Sequence, residues 1–414
     1  ELDIHFSFDK RLYSESDVTP ELIDRLQTLC TAKYDAPTYP VEEFRQTILH
    51  EMKTEIHTMA ELNDNFIGCI HRQLTDCHML YTKEFTSDGC LAQDTFSGVL
   101  KVTVLVFNVL LDNTQYTLTV SGHPVGQGVI APNFNLMDTV KTAAGNAGAS
   151  NAAGSADNSC EAESAPASAV ATAGSSGVSG AGSAATAGDS STTGSSSAGN
   201  TVTASTRFKR LELHNHTVES DGSLTCQELT EYLAADHVDA FAITDHNTTS
   251  GQKKIEQLLE EKHYPISLIR GMEYTTYFGH ILCLNLAKYV PWNSIDQHRP
   301  ELLFEAAREK GALVGIAHPF SYGDPFARGC RFEMTISDYS KVDFIEIFNN
   351  PEPLHEVNER GTNLWMSLIF SGYQITATSG MDLHNRAKLA GCYATYIEGK
   401  NGGNIASELD TAIH

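Results

Sequence analysis

From Arg207 onward the chain reads as an α/β domain on a mainly parallel sheet, either closed into a barrel or left open. Three observations predict this. Short apolar strand patterns alternate with helical ones, residues of metal-ligand type follow directly after the strands, and a long low-complexity tract separates this half from what precedes it. In such folds the working residues sit at the carboxyl ends of the strands.

The strand patterns are Leu211–Leu213, Ala240–Thr244, Ser267–Arg270, Ala312–Ala317, Phe344–Phe348, Gln374–Thr378 and Tyr393–Ile397. Helical patterns fall between them at Thr225–Ala235, with Ser223 as a cap, and at Gly251–Lys262, Pro300–Lys310 and Thr362–Ser371. Ahead of the tract, Asp17 to Asn63 predicts helix, with Phe44, Ile48, Met52, Ile56 and Met59 on one apolar face. From Thr95 to Val120 the period changes to two. Val102, Val104 and Val106, then Tyr116, Leu118 and Val120, flank Asp112-Asn113 and predict a β-hairpin, with further turns at Pro124–Pro132. Residues 1–140 are therefore expected to form a helical segment and a small β-rich domain.

Thr142 to Ser205 is almost entirely Ala, Gly, Ser, Thr and Asn. It cannot bury enough surface to offset its ordering entropy, so residues 141–206 are expected to be a flexible tether that joins the first domain loosely to residues 207–414. The formal charge of -24, from 52 acidic and 28 basic residues, disfavours nucleic acid and anionic membranes as partners. Nine dispersed cysteines without a C-x-x-C pair fit reduced thiols in a cytoplasmic protein. No run reaches the ~18 apolar residues of a membrane span. The chain opens at Glu1 and stops inside a helical pattern at Ala412–His414, so it is expected to be cut from something longer, and a missing signal peptide carries little weight.

The chemistry begins at Leu211–Gly222, L-E-L-H-N-H-T-V-E-S-D-G. In an extended backbone His214 and His216 point the same way and can chelate one ion. Asp221 follows on a loop where Gly222 is free to adopt a conformation a side chain would forbid. Taken alone, these are equally two exposed histidines near a turn. The pattern recurs, however, with Asp245-His246-Asn247, Glu273, His280, His318-Pro319, Asn349-Asn350 and Asp382-Leu383-His384 after successive strands. His318 could be a turn histidine and Asp382 a helix cap, yet packing does not explain so many such residues on one rim. The ligand types are nitrogen and oxygen, which suits Zn, Mn or Fe. By contrast, His57, His71, His78 and His123 have no partner at chelating spacing and are read as packing or solvent-facing residues.

In order, H-N-H-T, S-D-G, T-D-H-N, G-M-E, G-H, H-P and G-M-D-L-H resemble the polymerase-and-histidinol-phosphatase (PHP) family of metallohydrolases. The E-Y-T-T-Y-F-G-H and I-E-I-F-N segments most resemble its branch named after carbaryl hydrolase. The resemblance covers about Phe208 to the C-terminus. It implies a distorted seven-stranded β/α barrel with a trinuclear metal centre. His214, His216, Glu273 and Asp382 would hold one ion, Glu273, His280 and His318 a second with Glu273 bridging, and Asp221, His246 and His384 a third. Met381 departs from the serine common there and bears on substrate fit.

Two or three such ions lower the pKa of a bound water toward ~7 and neutralise a phosphate ester. The expected activity is hydrolysis of a small phosphoester, with Asp245 and His246 as catalytic candidates. For Asp245, support of a ligand from behind is favoured over direct acid catalysis. Asn247 and Asn349 are candidates for substrate binding, with ordinary loop hydrogen bonding as the equal alternative. The rival readings are hydrolysis of a carboxyl ester, carbamate or amide on the same centre, and a metal-stabilised binding module without activity.

Overall fold

The computed structural model describes residues 1–34, 36–122, 206–292, 295–349 and 354–414. The low-complexity tract, the Pro124–Pro132 turns, His123 and Asn350 lie outside them.

The C-terminal half is an eight-stranded, barrel-like mixed sheet. Its strands are β7 (Thr206–Glu212), β8 (Ala240–Ile243), β9 (Ser267–Thr276), β10 (Gly279–Leu284), β11 (Leu313–Ile316), β12 (Phe344–Phe348), β13 (Thr376–Ser379) and β14 (Thr395–Lys400), in spatial order 13-12-11-10-9-8-7-14. The count differs from the expected seven because Gly279–Leu284 also pairs. It runs antiparallel to β9 across the tight Tyr277-Phe278 turn, with Thr276 opposite Gly279 and Glu273 opposite Leu282. The uninterrupted apolar run Ile281–Leu284 lacks the alternation that marks a half-exposed strand, because both of its faces are buried. At the open end, Ser379 and Thr395 exchange hydrogen bonds, and a single parallel bridge joins Asn215 to Leu383. These contacts nearly close the sheet.

Helices α3 (Cys226–Ala235), α4 (Ser250–Lys262), α5 (Glu301–Arg308) and α6 (Glu356–Phe370) follow the predicted patterns. The cap of α3 is Thr225, in a reciprocal capping box with Glu228. Ser223 instead donates to the His384 carbonyl. Helix α6 starts earlier than expected, capped by His355. Two apolar layers lie outside the sheet, one between β8 and α3/α4 around Leu229, Phe241 and Ile255, the other around Phe304, Val314 and Ile345. The barrel interior is filled by Leu211, Leu284, Leu313 and Phe344 and is stoppered by α7 (Ile405–Ile413) through Ile405, Leu409 and Ile413. The other end of the barrel is left to polar side chains.

The N-terminal half differs from its sequence reading in two places. Helices α1 (Pro20–Tyr34) and α2 (Val41–Glu51) carry Phe44 and Ile48, but Ile56 and Met59 lie on a strand, β2 (Glu55–Leu62). Their three-residue spacing mimics a helix because β2 is a central strand buried on both faces. The strands β5 (Leu100–Asn108) and β6 (Tyr116–Gly122) exist but are no hairpin. β5 pairs with β2, whose other neighbour is β3 (Asn65–Ile70), whereas β6 pairs with β1 (Leu2–Phe8), whose other neighbour is β4 (Asp76–Tyr81). The two three-stranded antiparallel sheets pack through Ile4, Ala60, Ile67 and Met79. The eight described cysteines are free thiols, and no described helix is long and apolar enough to cross a membrane.

The halves are packed together, contrary to the loose attachment expected from the tether. Tyr289 stacks on Phe66 at 4.0 Å, Tyr34 Oη donates to the Asp324 carbonyl, and Thr248 Oγ1 donates to the Gly89 carbonyl.

If α7 is the stopper of the barrel, Leu409→Ala removes a fully buried side chain from its centre. Urea unfolding is expected to show a loss of about 2–5 kcal/mol. A surface helix would lose only a few tenths.

Candidate metal centre

All nine ligand candidates meet at the polar end of the barrel. Glu273 is at the middle of the group and wholly buried. Its Oε2 lies 3.1 Å from His214 Nε2, 3.4 Å from His216 Nε2 and 3.0 Å from His246 Nδ1. Its Oε1 lies 2.8 Å from His280 Nδ1 and 3.1 Å from His318 Nε2. Asp382 Oδ1 is 3.0 Å from His216 Nε2 and 3.3 Å from His214 Nε2, and Asp221 Oδ1 is 3.2 Å from His384 Nε2 and 3.6 Å from His246 Nε2.

Three overlapping groups in this region have the spacing to hold a cation. His214, His216, Glu273 and Asp382 form one; His216, Asp221, His246 and His384 another; His246, Glu273 and His280 the third. The first is the set expected from the sequence. In the others, His216 joins the Asp221 group and His246 joins Glu273 and His280. His318 sits between Glu273 and Asp382, 3.8 Å from the latter.

Local backbone explains the convergence. After β7 the chain stays extended, so His214 and His216 project to the same side. A side chain at Gly222 would strike the His216 carbonyl at 2.5 Å; close approach of the loop, rather than an unusual φ, requires glycine there. Gly380 is needed for the same reason, since a Cβ would lie 2.4 Å from Glu346 Oε1 and 2.6 Å from His214 Cβ. The β9/β10 register puts His280 opposite Thr275, on the face that carries Glu273. His318 and Asp382 adopt positive φ, 23° and 50°, which is rare for non-glycine residues and concentrates at functional sites.

The donor set fits a cation on its hydrogen bonding. A histidine that ligates through Nε2 keeps its proton on Nδ1 and donates it to a fixed acceptor. Nδ1 of His214 faces Glu346 Oε1 at 3.0 Å, that of His246 faces Thr275 Oγ1 at 2.5 Å, that of His318 the Cys330 carbonyl at 3.2 Å and that of His384 the Asp382 carbonyl at 2.9 Å. Nε2 of His214, His216, His246 and His280, with Asp221 Oδ1, Glu273 Oε2 and Asp382 Oδ1, are buried without a hydrogen-bond partner. Orphaned polar atoms on this scale are costly unless something between them satisfies them.

The electrostatics agree. Burial, then the neighbouring His246 and His384 rings, push His216 down to about 3, leaving it neutral with a free lone pair. Burial opposes the ionised form of Asp221, Glu273 and Asp382, but the surrounding imidazoles outweigh it and hold all three well below the ordinary carboxylate range.

The other candidate residues surround this cluster. Asp245 accepts from Thr217 N, Thr217 Oγ1 and Ser220 Oγ at 2.7–2.8 Å, so both its oxygens tie down the His214–Gly222 loop rather than face the centre. Burial raises it to about 6, against those hydrogen bonds. His246 is a ligand candidate whose Nδ1 is held by Thr275, which leaves no nitrogen for separate proton transfer. Asn247 exchanges two 3.0 Å hydrogen bonds with the Thr275 backbone, and the Asn349 amide nitrogen donates to Glu346 Oε2. Met381 is buried among Phe241, Leu383 and Leu389 and is core. Two residues were not foreseen as parts of the site. Glu346 orients His214 and also accepts from His318 N, and Glu212, raised to about 7 by burial, accepts from Met381 N. Glu346 reads as one more residue of a buried strand, so only its charge in an apolar run marks it.

The model of a family of unknown function (DUF6669) matches residues 1–124. A 5'-3' exoribonuclease of Haemophilus influenzae is 36% identical over 141 residues, covering 32% of this chain and 50% of that protein. An uncharacterized protein of Methanocaldococcus jannaschii is 30% identical over 112 residues, covering 27% of this chain and 58% of that one. The chain spans about half the length of these curated relatives. Among solved structures, a two-domain protein from Bacteroides vulgatus, described as containing a predicted PHP-like metal-dependent phosphoesterase, aligns at 17% identity and a TM-score of 0.39, over 50% of this chain and 63% of that one.

Two outcomes are expected of this centre. Stripping the protein with a chelator lowers its melting temperature by roughly 5–10 °C relative to protein kept at a hundredfold excess of metal over Kd, as read by scanning calorimetry. Glu346→Ala, which removes the acceptor that sets the His214 tautomer, weakens metal affinity by about 10- to 100-fold in competition with a chromogenic chelator.

Proposed function

We propose that the chain is a PHP-type metal-dependent hydrolase of small phosphoesters, with two or three divalent ions drawn from Zn, Mn and Fe. One observation carries this reading: three ligand groups share Glu273, His216 and His246, so neighbouring cations would lie only a few ångströms apart. When bound, such ions supply an acidified water as nucleophile and neutralise the non-bridging oxygens of a phosphate.

The chain's own residues do the rest. Glu273 spans the groups with both oxygens, while Glu346, Thr275 and the Cys330 carbonyl fix the rings of His214, His246 and His318. Apolar walls and the N-terminal half exclude bulk water. Of the carboxylates, the side chains of Asp382 and Asp221 retain 13% and 9% exposure, so a substrate's phosphoryl oxygen would approach on their side. The net charge of -24 favours a small substrate.

The relative named as a 5'-3' exoribonuclease supports phosphoester chemistry and makes an RNA 5' end a substrate to include. A carboxyl ester or carbamate, the chemistry of the carbaryl-hydrolase branch, asks the same of the centre.

The test is a panel of nitrophenyl phosphates, nitrophenyl carboxyl esters and a short 5'-phosphorylated RNA, on metal-loaded full-length protein. Phosphate-ester turnover is expected, with His216→Ala lowering kcat by at least ~10³-fold. Turnover of the carboxyl esters alone would overturn the phosphoesterase reading, and equal activity of His216→Ala would overturn the metal centre's role.

A further inference from the structure

The seam between the halves holds another set of ligand-type side chains, which the barrel's centre does not use. Glu55 and His57 on β2 and His71 just beyond β3 each place one possible ligand atom within 4.8 Å of the others. His57 Nε2 lies 3.3 Å from Glu55 Oε1, is buried, and has no hydrogen-bond partner. On the opposite side of the ring, His57 Nδ1 meets His71 Nδ1 at 2.7 Å, the two rings edge to face. The His71 ring in turn lies 4.3 Å from that of His246.

We propose that Glu55 and His57 ligate a further divalent cation, with His71 as the residue that positions His57, on the N-terminal side of the barrel's mouth. The geometry has the usual logic of a histidine ligand. With Nε2 on a cation, the ring proton of His57 sits on Nδ1 and is donated to the bare Nδ1 of His71. A spacing of 3.3 Å between Nε2 and Oε1 is close to the edge of a tetrahedron whose ligands stand ~2.1 Å from the ion. Without a cation, the site leaves a buried imidazole nitrogen unsatisfied beside a carboxylate, which is unfavourable for both. Nitrogen and oxygen donors with open positions suit Zn or Mn, and those positions remain for water or a substrate oxygen.

This goes beyond the reaction proposed for the barrel, since none of the three residues belongs to its ligand groups. Full-length protein is stripped with a chelator, reloaded with Zn(II), desalted, and its metal counted per chain by inductively coupled plasma mass spectrometry. Glu55→Gln and His57→Ala are each expected to hold one ion fewer than wild type, with the barrel's ions retained. His216→Ala is expected to lose ions from the barrel and keep the one at the seam. Equal metal content in wild type, Glu55→Gln and His57→Ala would overturn the proposal. Should either variant fail to fold, anomalous scattering at the zinc edge from wild-type crystals decides. A peak bonded to His57 Nε2 supports the seam site, peaks in the barrel alone overturn it, and no peak in either place overturns the barrel reading as well.

Discussion

Three carboxylates, Asp221, Glu273 and Asp382, are sunk into the end of a barrel among imidazole rings, and the rest of the fold follows from the need to compensate them. A buried ionised carboxylate is penalised by several kcal/mol unless it is paired or hydrogen bonded. Glu273 has five imidazoles within 3.4 Å, yet its Oε2 makes no hydrogen bond. Proximity without hydrogen-bond alignment is what ligands arranged around a cation look like, because their lone pairs aim at a common point and not at one another.

Holding that arrangement demands a rigid surround. The histidines are fixed by Glu346, Thr275 and backbone carbonyls, while Asp245, Asn215 and Asn247 secure the loops from behind. Positive φ at His318 and Asp382 costs of order 1–3 kcal/mol each and persists only where packing over-determines it. Here the stopper helix α7 and the two outer apolar layers supply that packing, so the apolar end of the barrel stabilises the polar end.

Much of this was legible in the sequence. Ligand types placed after apolar runs are visible without knowing the pairing, and the alternation of patterns named the right helices and most of the strands. What escaped has a physical cause in each case. Gly279–Leu284 is buried on both faces and loses the period-two signature, as does β2, whose Ile56 and Met59 happen to fall three residues apart. β5 and β6 carry good strand patterns, but partner choice is a tertiary property that no local period encodes. For Asn247 and Asn349 the sequence leaves substrate binding and loop hydrogen bonding open, because the acceptors and donors their amides meet, the Thr275 backbone and Glu346, are distant in the chain.

The docking of the N-terminal half escaped for a related reason, since it depends largely on single polar contacts scattered along the chain. Arg72 straddles the ligand candidate Asp221, donating from Nε to the Ser220 carbonyl at 2.5 Å and from a terminal nitrogen to that of Gly222 at 3.1 Å. Glu219 on the same loop accepts from Gly89 N and from Lys254, which also reaches Asp88. A charge-assisted hydrogen bond to a backbone carbonyl fixes position without adding a ligand. The loop that carries Asp221 is thus held on one side by Asp245 of the barrel and on the other by Arg72 of the first domain. A barrel deprived of that second support would keep His214 and His216, which continue from β7, but would leave the Asp221 carboxylate on a loop with fewer constraints. The N-terminal half therefore helps to hold the candidate metal centre in shape.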